Sequence, residues 1–314
     1  MLRYVSIRFV AALLLAWAVA TVVFLFVRLI PGDPAALIAG DRATPQQVQA
    51  VRRSMGLSDP LPVQYVRWFG GLCRGDLGIS LVSDRPVSQD LVAQLPRTLE
   101  LILAALVLSV LAGVPLGVLA AIRRDRPADL VSGILALLGL SLPNFVVATL
   151  LVLIVSVRFR LLPSSGYVPF LQHPIQHLRL LLLPSISLAV ALTGVVMRMT
   201  RSSLLEVVSQ DYVRTARAKG LREITVLFSH ALRNSLIPVI TILGVELGSL
   251  LGGTVVIEYI FSWPGLSSLL FRGISQRDYP LVQGVVLLIA AVFILTNLLV
   301  DTLNALLDPR IRYA

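Results

Sequence analysis

Cysteine is almost absent from this 314-residue chain: Cys73 stands alone, which excludes an internal disulfide and a thiolate metal cluster. Histidine is nearly as scarce, with His173, His177 and His230 only. His173 and His177 flank Pro174 in what reads as an outer loop, and they read as ordinary loop histidines rather than a metal pair. Charge is thin as well. Asp, Glu, Lys and Arg make up 14% of the chain against 56% hydrophobic residues, and the mean hydropathy is +0.86, values that exclude an ordinary soluble domain. The chain lacks a Gly-x-x-x-x-Gly-Lys-Ser/Thr phosphate loop and a His-Glu-x-x-His run. It therefore carries no hydrolytic site of its own, and any work it performs draws energy from elsewhere.

What is present is long apolar sequence. Phe9–Ile30, Leu99–Ile122, Leu130–Val157, Leu180–Met197, Ile237–Ile257 and Leu281–Leu307 each approach or exceed the roughly 20 helical residues that cross a bilayer core. The fold class expected is an all-α polytopic membrane protein with six transmembrane helices and both termini on one side. The net charge of +10 sets orientation rather than nucleic-acid binding. Arg3, Arg8, Arg123, Arg124 and Arg126, the seven basic residues between Arg198 and Arg233, and Arg310 and Arg312 fall on one side, 14 of the 27 basic residues. The positive-inside rule makes that side cytoplasmic. The segment 31–97 carries seven arginines outside, but long loops translocate largely regardless of charge. The first apolar run continues through Phe24 to Val27, past the length of a signal-peptide core, and is expected to be retained.

The segment 31–97 is patterned. Thr44-Pro45 reads as N-cap and first residue of a helix closing near Gly56. Pro62 opens a second helix with Tyr65, Trp68, Phe69 and Leu72 at helical spacing, suited to the membrane interface. Gly75, Gly78 and Arg85-Pro86 mark turns, after which Ser88 caps a short helix ending near Pro96. Later in the chain, Pro143-Asn144 and Pro184 are expected to break their spans. Gly244, Gly248, Gly252 and Gly253 offer a small-residue face for another helix, in this chain or a neighbour. Asn297, Asp301 and Asn304 share a face suited to interhelical hydrogen bonds.

Two polar features stand out. Asp211-Tyr212-Val213-Arg214-Thr215-Ala216-Arg217-Ala218-Lys219-Gly220 is a helix-forming run between apolar segments. Asp211 is expected as N-cap and Gly220 as the left-handed residue closing a helix of roughly 9 residues. Such a helix can be gripped by a partner or lie on anionic lipid. The other feature is Glu246, inside an apolar run where a charge is costly. Two readings stand: a pathway group meeting a cationic substrate, or a structural carboxyl hydrogen-bonded to Ser249.

The Asp211–Gly220 run continues into His230-Ala231-Leu232-Arg233-Asn234-Ser235-Leu236-Ile237-Pro238. Pro31-Gly32-Asp33-Pro34, Phe261-Ser262-Trp263-Pro264-Gly265-Leu266, Arg277-Asp278-Tyr279-Pro280 and Asp308-Pro309-Arg310-Ile311-Arg312 lie along the rest of the chain. In this order they resemble the permease subunits of binding-protein-dependent ABC importers of the dipeptide/oligopeptide type, a family that also handles glutathione and nickel chelates. The run departs from the general "EAA" loop of such importers, with Arg214 at its Glu, Thr215 at its first Ala, and His230 and Arg233 at its later Ile and Pro. The resemblance implies a type I importer permease in the bacterial inner membrane. Its parts would be the N-terminus and first helix (1–30), an external segment (31–97), a five-helix core (98–307) with a cytoplasmic coupling loop (198–233), and a cytoplasmic tail (308–314). It implies partners: a second homologous permease, two ATPase subunits that bind ATP and Mg, an external substrate-binding protein, a peptide substrate and membrane lipid, with no nucleic acid. It also implies that Asp211, Tyr212, Arg214, Thr215, Ala216, Arg217, Lys219 and Gly220 form the ATPase-coupling helix. Glu246, Ser249 and Asn144 are the pathway candidates. The rival readings are an ion-driven transporter using Glu246 as proton carrier and a membrane scaffold.

Overall fold

The structure, a computed structural model, describes residues 2–29, 34–39, 43–54 and 56–307. Residues 31–33 of the first signature and the tail 308–314 lie outside them. The helices in chain order are α1 (Leu2–Leu29), α2 (Pro34–Ala39), α3 (Pro45–Ser54), α4 (Leu61–Leu72), α5 (Val87–Ile122), α6 (Pro127–Ser141) and α7 (Asn144–Leu151). They continue with α8 (Pro174–Val208), α9 (Asp211–Ala218), α10 (Glu223–Thr225), α11 (Arg233–Gly253), α12 (Val255–Ile260), α13 (Leu266–Ser275) and α14 (Tyr279–Leu307). α7 runs on as a π-helical stretch, Val152–Arg158, and α10 joins α11 through another, Val226–Leu232. Among the described residues there is no strand, only an isolated bridge between Ile79 and Pro86.

Among the described residues, five helices are long and apolar enough to cross a bilayer, with a sixth if the bent pair Pro127–Ser141 and Asn144–Arg158 counts as one span. That pair carries the break expected at Pro143-Asn144 within the Leu130–Val157 run: the axis turns by 100°. Pro143 lacks the N–H an unbroken helix would use, and its ring pushes Leu142 into the extended region at φ −87°, ψ 123°. Pro184 does the opposite of what was expected. It lies inside the unbroken α8, where the Ser185 hydroxyl donates to the carbonyls of Leu181 and Leu182 at 2.6 and 3.0 Å, satisfying backbone around the proline. Pro96 likewise fails to end a helix, because α5 runs through it for 36 residues.

The chain forms two compact units, one of residues 1–96 and 265–298, the other of 97–264 and 299–314. In the first, Thr44 caps α3 reciprocally: its backbone N–H donates to Gln47 Oε1 at 2.8 Å and its Oγ accepts from the Gln47 N–H at 3.4 Å. α4 docks on α1 through aromatics, with Phe24 meeting Tyr65 edge-on at 5.1 Å and Trp68 at 5.3 Å. Tyr65 also hydrogen-bonds Thr21 at 2.8 Å. Val87 and Leu91 of α5, Leu266 and Leu269 of α13, and Leu281 and Val285 of α14 form this unit's core. Asp278, fully buried, ties the layer together by accepting from Ser80 Oγ at 2.5 Å and from the backbone N–H of Leu81 and Leu281.

In the second unit α8 is the most buried span. It is approached at backbone range where side chains vanish. A Cβ on Gly139 of α6 would sit 2.8 Å from the Val190 carbonyl, one on Gly194 of α8 2.8 Å from the Ala136 carbonyl, and one on Gly117 of α5 2.6 Å from the Met197 carbonyl. Of the expected small-residue face on α11, Gly244 packs on Val300 of α14 while Gly252 and Gly253 face open space. Arg201 of α8 forks onto Asp129 in the first turn of α6, Nε to Oδ1 at 2.6 Å and Nη2 to Oδ2 at 2.7 Å.

Candidate functional site

The segment expected as a cytoplasmic loop, 198–233, is largely helical. α8 carries through Val208, and Ser209-Gln210 turns the chain into α9. Val118 and Ala121 of α5, Leu204 of α8 and Ala231 of the π-helical turn pack into a base. Val213 and Ala216, the two residues of α9 that are buried, rest on Val226, with Val207 packed against the group. Their spacing of three places both on one face and turns the polar residues outward. The result is a short helix whose underside belongs to the bundle.

Its outer side is polar and open. Asp211 is not the N-cap: Gln210 takes that place without a side-chain cap, and Asp211 is the first helical residue. There its carboxylate complements the positive end of the helix dipole and lies 3.5 Å from Arg214. Thr215 turns its hydroxyl back to the Asp211 carbonyl at 2.9 Å. Tyr212 is 43% exposed, and its oxygen accepts from Asn234 Nδ2 at 2.9 Å, tethering α9 to the start of α11. Arg217 forks onto Glu223 at 3.1 and 2.7 Å. Hydrogen bonding to that carboxylate, ahead of its charge, raises the Arg217 pKa, so the guanidinium stays charged. Lys219 is the C-cap and Gly220 follows at φ +75°, the left-handed closure expected of a glycine. Asn234 and Glu223 were missed from sequence. A glutamate six residues beyond an arginine, across a glycine-closed turn, is the signal that marks the second of these.

Of the pathway candidates, the structure brings two together. Ser249 Oγ donates to Glu246 Oε2 at 2.9 Å and to its carbonyl at 3.0 Å, and Glu246 is half-buried. Asn144 is half-buried at the start of α7, directly after the Pro143 break. Among the described residues no hydrogen bond joins it to Glu246 or Ser249.

The more deeply buried carboxyl is Glu258 of α12, which is inaccessible and accepts from Thr98 Oγ1 at 2.7 Å. Beside it lies a cluster sequence reading misjudged. His177 is not a loop histidine but an inaccessible residue inside α8. Its Nδ1 lies 2.7 Å from the Val168 carbonyl, an acceptor, so Nδ1 carries hydrogen. Nε2 stands 2.8 Å from Glu100 Oε1, at ion-pair range but outside hydrogen-bonding geometry. The rings of Tyr167, Phe170 and Trp263 pack on the imidazole, and Arg97 lies over Tyr167 at 4.9 Å. Trp263, fully buried, donates to the Arg97 carbonyl at 3.0 Å. The Phe261–Leu266 signature thus owes its tryptophan to a structural anchor.

Helices of spanning length, a broken span and an outward polar helix seated on the bundle define a multi-span membrane protein. Residues 113–313 match the model of the binding-protein-dependent transport system inner membrane component, and residues 1–102 match the N-terminal model of the same membrane components; the chain belongs to this family. It is 47% identical over 295 residues to a putative peptide transport system permease protein of Brucella abortus (strain 2308), covering 94% of each chain. It is 45% identical over 313 residues to a glutathione transport system permease protein of Salmonella paratyphi A, covering 100% of each. A crystal structure of an amino acid ABC transporter with histidines shares the fold at a TM-score of 0.51 and 18% identity, over 71% of this chain and 94% of that one.

Proposed function

We propose that the chain is the translocation subunit of an ATP-driven importer for short peptides or related small substrates such as glutathione. It works with a second homologous permease, two ATPase subunits that hold ATP and Mg, and an external substrate-binding protein. The observation that carries this reading is α9: eight residues, about 12 Å long, seated by Val213 and Ala216 and braced at Tyr212–Asn234 and Arg217–Glu223. A helix held that way moves with the bundle, so a push on it is transmitted. The names of the full-length relatives support the substrate class. In this reading Tyr212, Arg214, Arg217 and Lys219 meet the ATPase, Ala216 and Thr215 hold the helix form, and Glu246, Ser249 and Asn144 serve the pathway.

Replacing Tyr212 and Arg217 together with Ala tests it. Membrane insertion is expected to persist while ATPase co-purification and substrate-stimulated ATP hydrolysis fall by about tenfold, because a few anchors carry most of an interface. Glu223→Ala serves as a control that breaks the brace alone. Unchanged co-purification and hydrolysis in the double variant would remove α9 from the mechanism. Orientation is tested separately: with Cys73 changed to Ser, Ser209→Cys is expected to react with a membrane-impermeant thiol reagent only from the cytoplasmic side. Labelling in intact cells with a permeabilised outer barrier would invert the topology.

A further inference from the structure

Within the unit of residues 1–96 and 265–298, a cavity of about 230 Å³ opens between the Ser80–Pro86 turn, the first turn of α5 and the end of α13. Ser80 and Asp278 contribute to its lining but are committed to each other. The uncommitted polar groups around it are Arg85, Arg272, Asp90, Ser83 and Gln276. Neither arginine has an ion-pair partner among the described residues, and Asp90 has none either. Two unpaired guanidinium groups lining one small cavity offer planar paired donors of the kind that recognise a phosphate or carboxylate. The single free carboxylate on the same cavity offers a place for a cation. Around these charges the surface is apolar: Val82, Phe271 and Ile274 are 53%, 49% and 58% exposed. Phe271 and Ile274 flank Arg272 on α13, whose buried face is spent on the unit's core. A helix with exposed apolar side chains on either side of an arginine has the composition of a membrane-interface element.

We propose that this cavity binds a phospholipid headgroup. Arg85 and Arg272 take the phosphodiester, with Ser83 and Gln276 as neutral donors, while Asp90 takes an ammonium and Phe271, Ile274 and Val82 meet the acyl region. The lining sets Arg85 and Arg272 against Asp90 and Asp278, a balanced pattern that matches a headgroup carrying both phosphate and amine better than one carrying phosphate alone. The site holds an ethanolamine phospholipid in preference to a glycerol phospholipid. It does not depend on what the permease transports.

The test uses the assembled transporter purified in detergent and titrated with phosphatidylethanolamine, phosphatidylglycerol or inorganic phosphate, bound lipid being counted by native mass spectrometry. Wild type is expected to retain ethanolamine lipid several-fold over glycerol lipid, and inorganic phosphate at equal concentration is expected not to displace it. Arg85→Gln with Arg272→Gln is expected to lower that retention about tenfold, since two charge-assisted contacts are lost. Arg85→Lys with Arg272→Lys, which keeps the charges, should restore part of it and so separates binding from misfolding. Asp90→Asn should bring the two lipids to near equality without abolishing binding. Lipid retention in the double Gln variant equal to wild type would overturn the site, displacement by inorganic phosphate would make it a free-anion pocket, and an undiminished ethanolamine preference in Asp90→Asn would remove the ammonium contact.

Discussion

α9 and the His177 cluster are both rich in polar side chains, and they dispose of them in opposite ways. On α9 the charges stand in water: Arg214 is 71% exposed and its partner Asp211 96%, a pair of the kind that contributes little to stability. Val213 and Ala216 seat the helix from below, and the Tyr212–Asn234 and Arg217–Glu223 contacts brace it from the side. Around His177 the imidazole is inside, its Nδ1 matched to the Val168 carbonyl, its Nε2 at ion-pair range of the partly exposed Glu100, and three aromatic rings packed on it. There each group depends on its partner, because an unmatched buried polar atom keeps its full desolvation cost. The difference is that between a surface left available to another molecule and one consumed in holding its own unit together. Substitutions in the two places should therefore fail differently.

The largest effect expected is at His177. Replacing it with Leu leaves the Val168 carbonyl without its donor beneath the packed rings of Tyr167 and Trp263 and takes an ion-pair partner from the partly exposed Glu100, a loss of about 2 kcal/mol, carried mainly by the carbonyl at roughly 1–3 kcal/mol. Thermal unfolding of the purified protein in detergent reads it, with a lowered midpoint and reduced expression. A midpoint equal to wild type would erase the distinction between the two regions, showing the cluster to be as dispensable as an exposed pair.

A smaller effect is expected on the exposed side. Gly220 has open space where a Cβ would stand, so Gly220→Ala meets no clash and suffers only from φ +75°, a cost of about 1 kcal/mol. That cost falls on the closure of α9 rather than on the bundle. Substrate-stimulated ATP hydrolysis should decline two- to fivefold with the unfolding midpoint nearly unchanged. A large midpoint shift with hydrolysis intact would mean that α9 supports the fold rather than presenting a surface.

The same contrast separates what was legible in the sequence from what was not. α9, its left-handed closure at Gly220, the capped α3 and the break at Pro143 depend on neighbours within a few residues, and local chemistry announced them. His177 and Glu100 meet from 77 positions apart, and Thr98 finds Glu258 across 160; spacing along a chain says nothing of such pairs. Prolines were read unevenly for the same reason. Pro143 breaks a helix, whereas Pro184 is carried by Ser185 and by burial against neighbouring spans. Glycine pairs such as Gly139 and Gly194 show their purpose only when the facing carbonyls are known.

Glu246 lies between the two regimes and yields the smallest expected effect on stability. It is half-buried, one carboxyl oxygen accepts from Ser249 at 2.9 Å, and that serine is itself exposed. Glu246→Gln retains an acceptor for Ser249, so unfolding should move by less than about 1 kcal/mol, the worth of an ordinary hydrogen bond. Glu246→Leu removes the acceptor but leaves Ser249 the Glu246 carbonyl 3.0 Å away, so it too should be tolerated by the fold. Transport is the sharper reading. If the carboxylate meets a peptide ammonium, Gln should lower uptake of peptides with free amino termini about tenfold and of N-acetylated peptides much less, because only the former lose a charge-assisted contact. Equal loss for both classes would take Glu246 out of the pathway and place it with His177, among side chains whose partners lie within the protein.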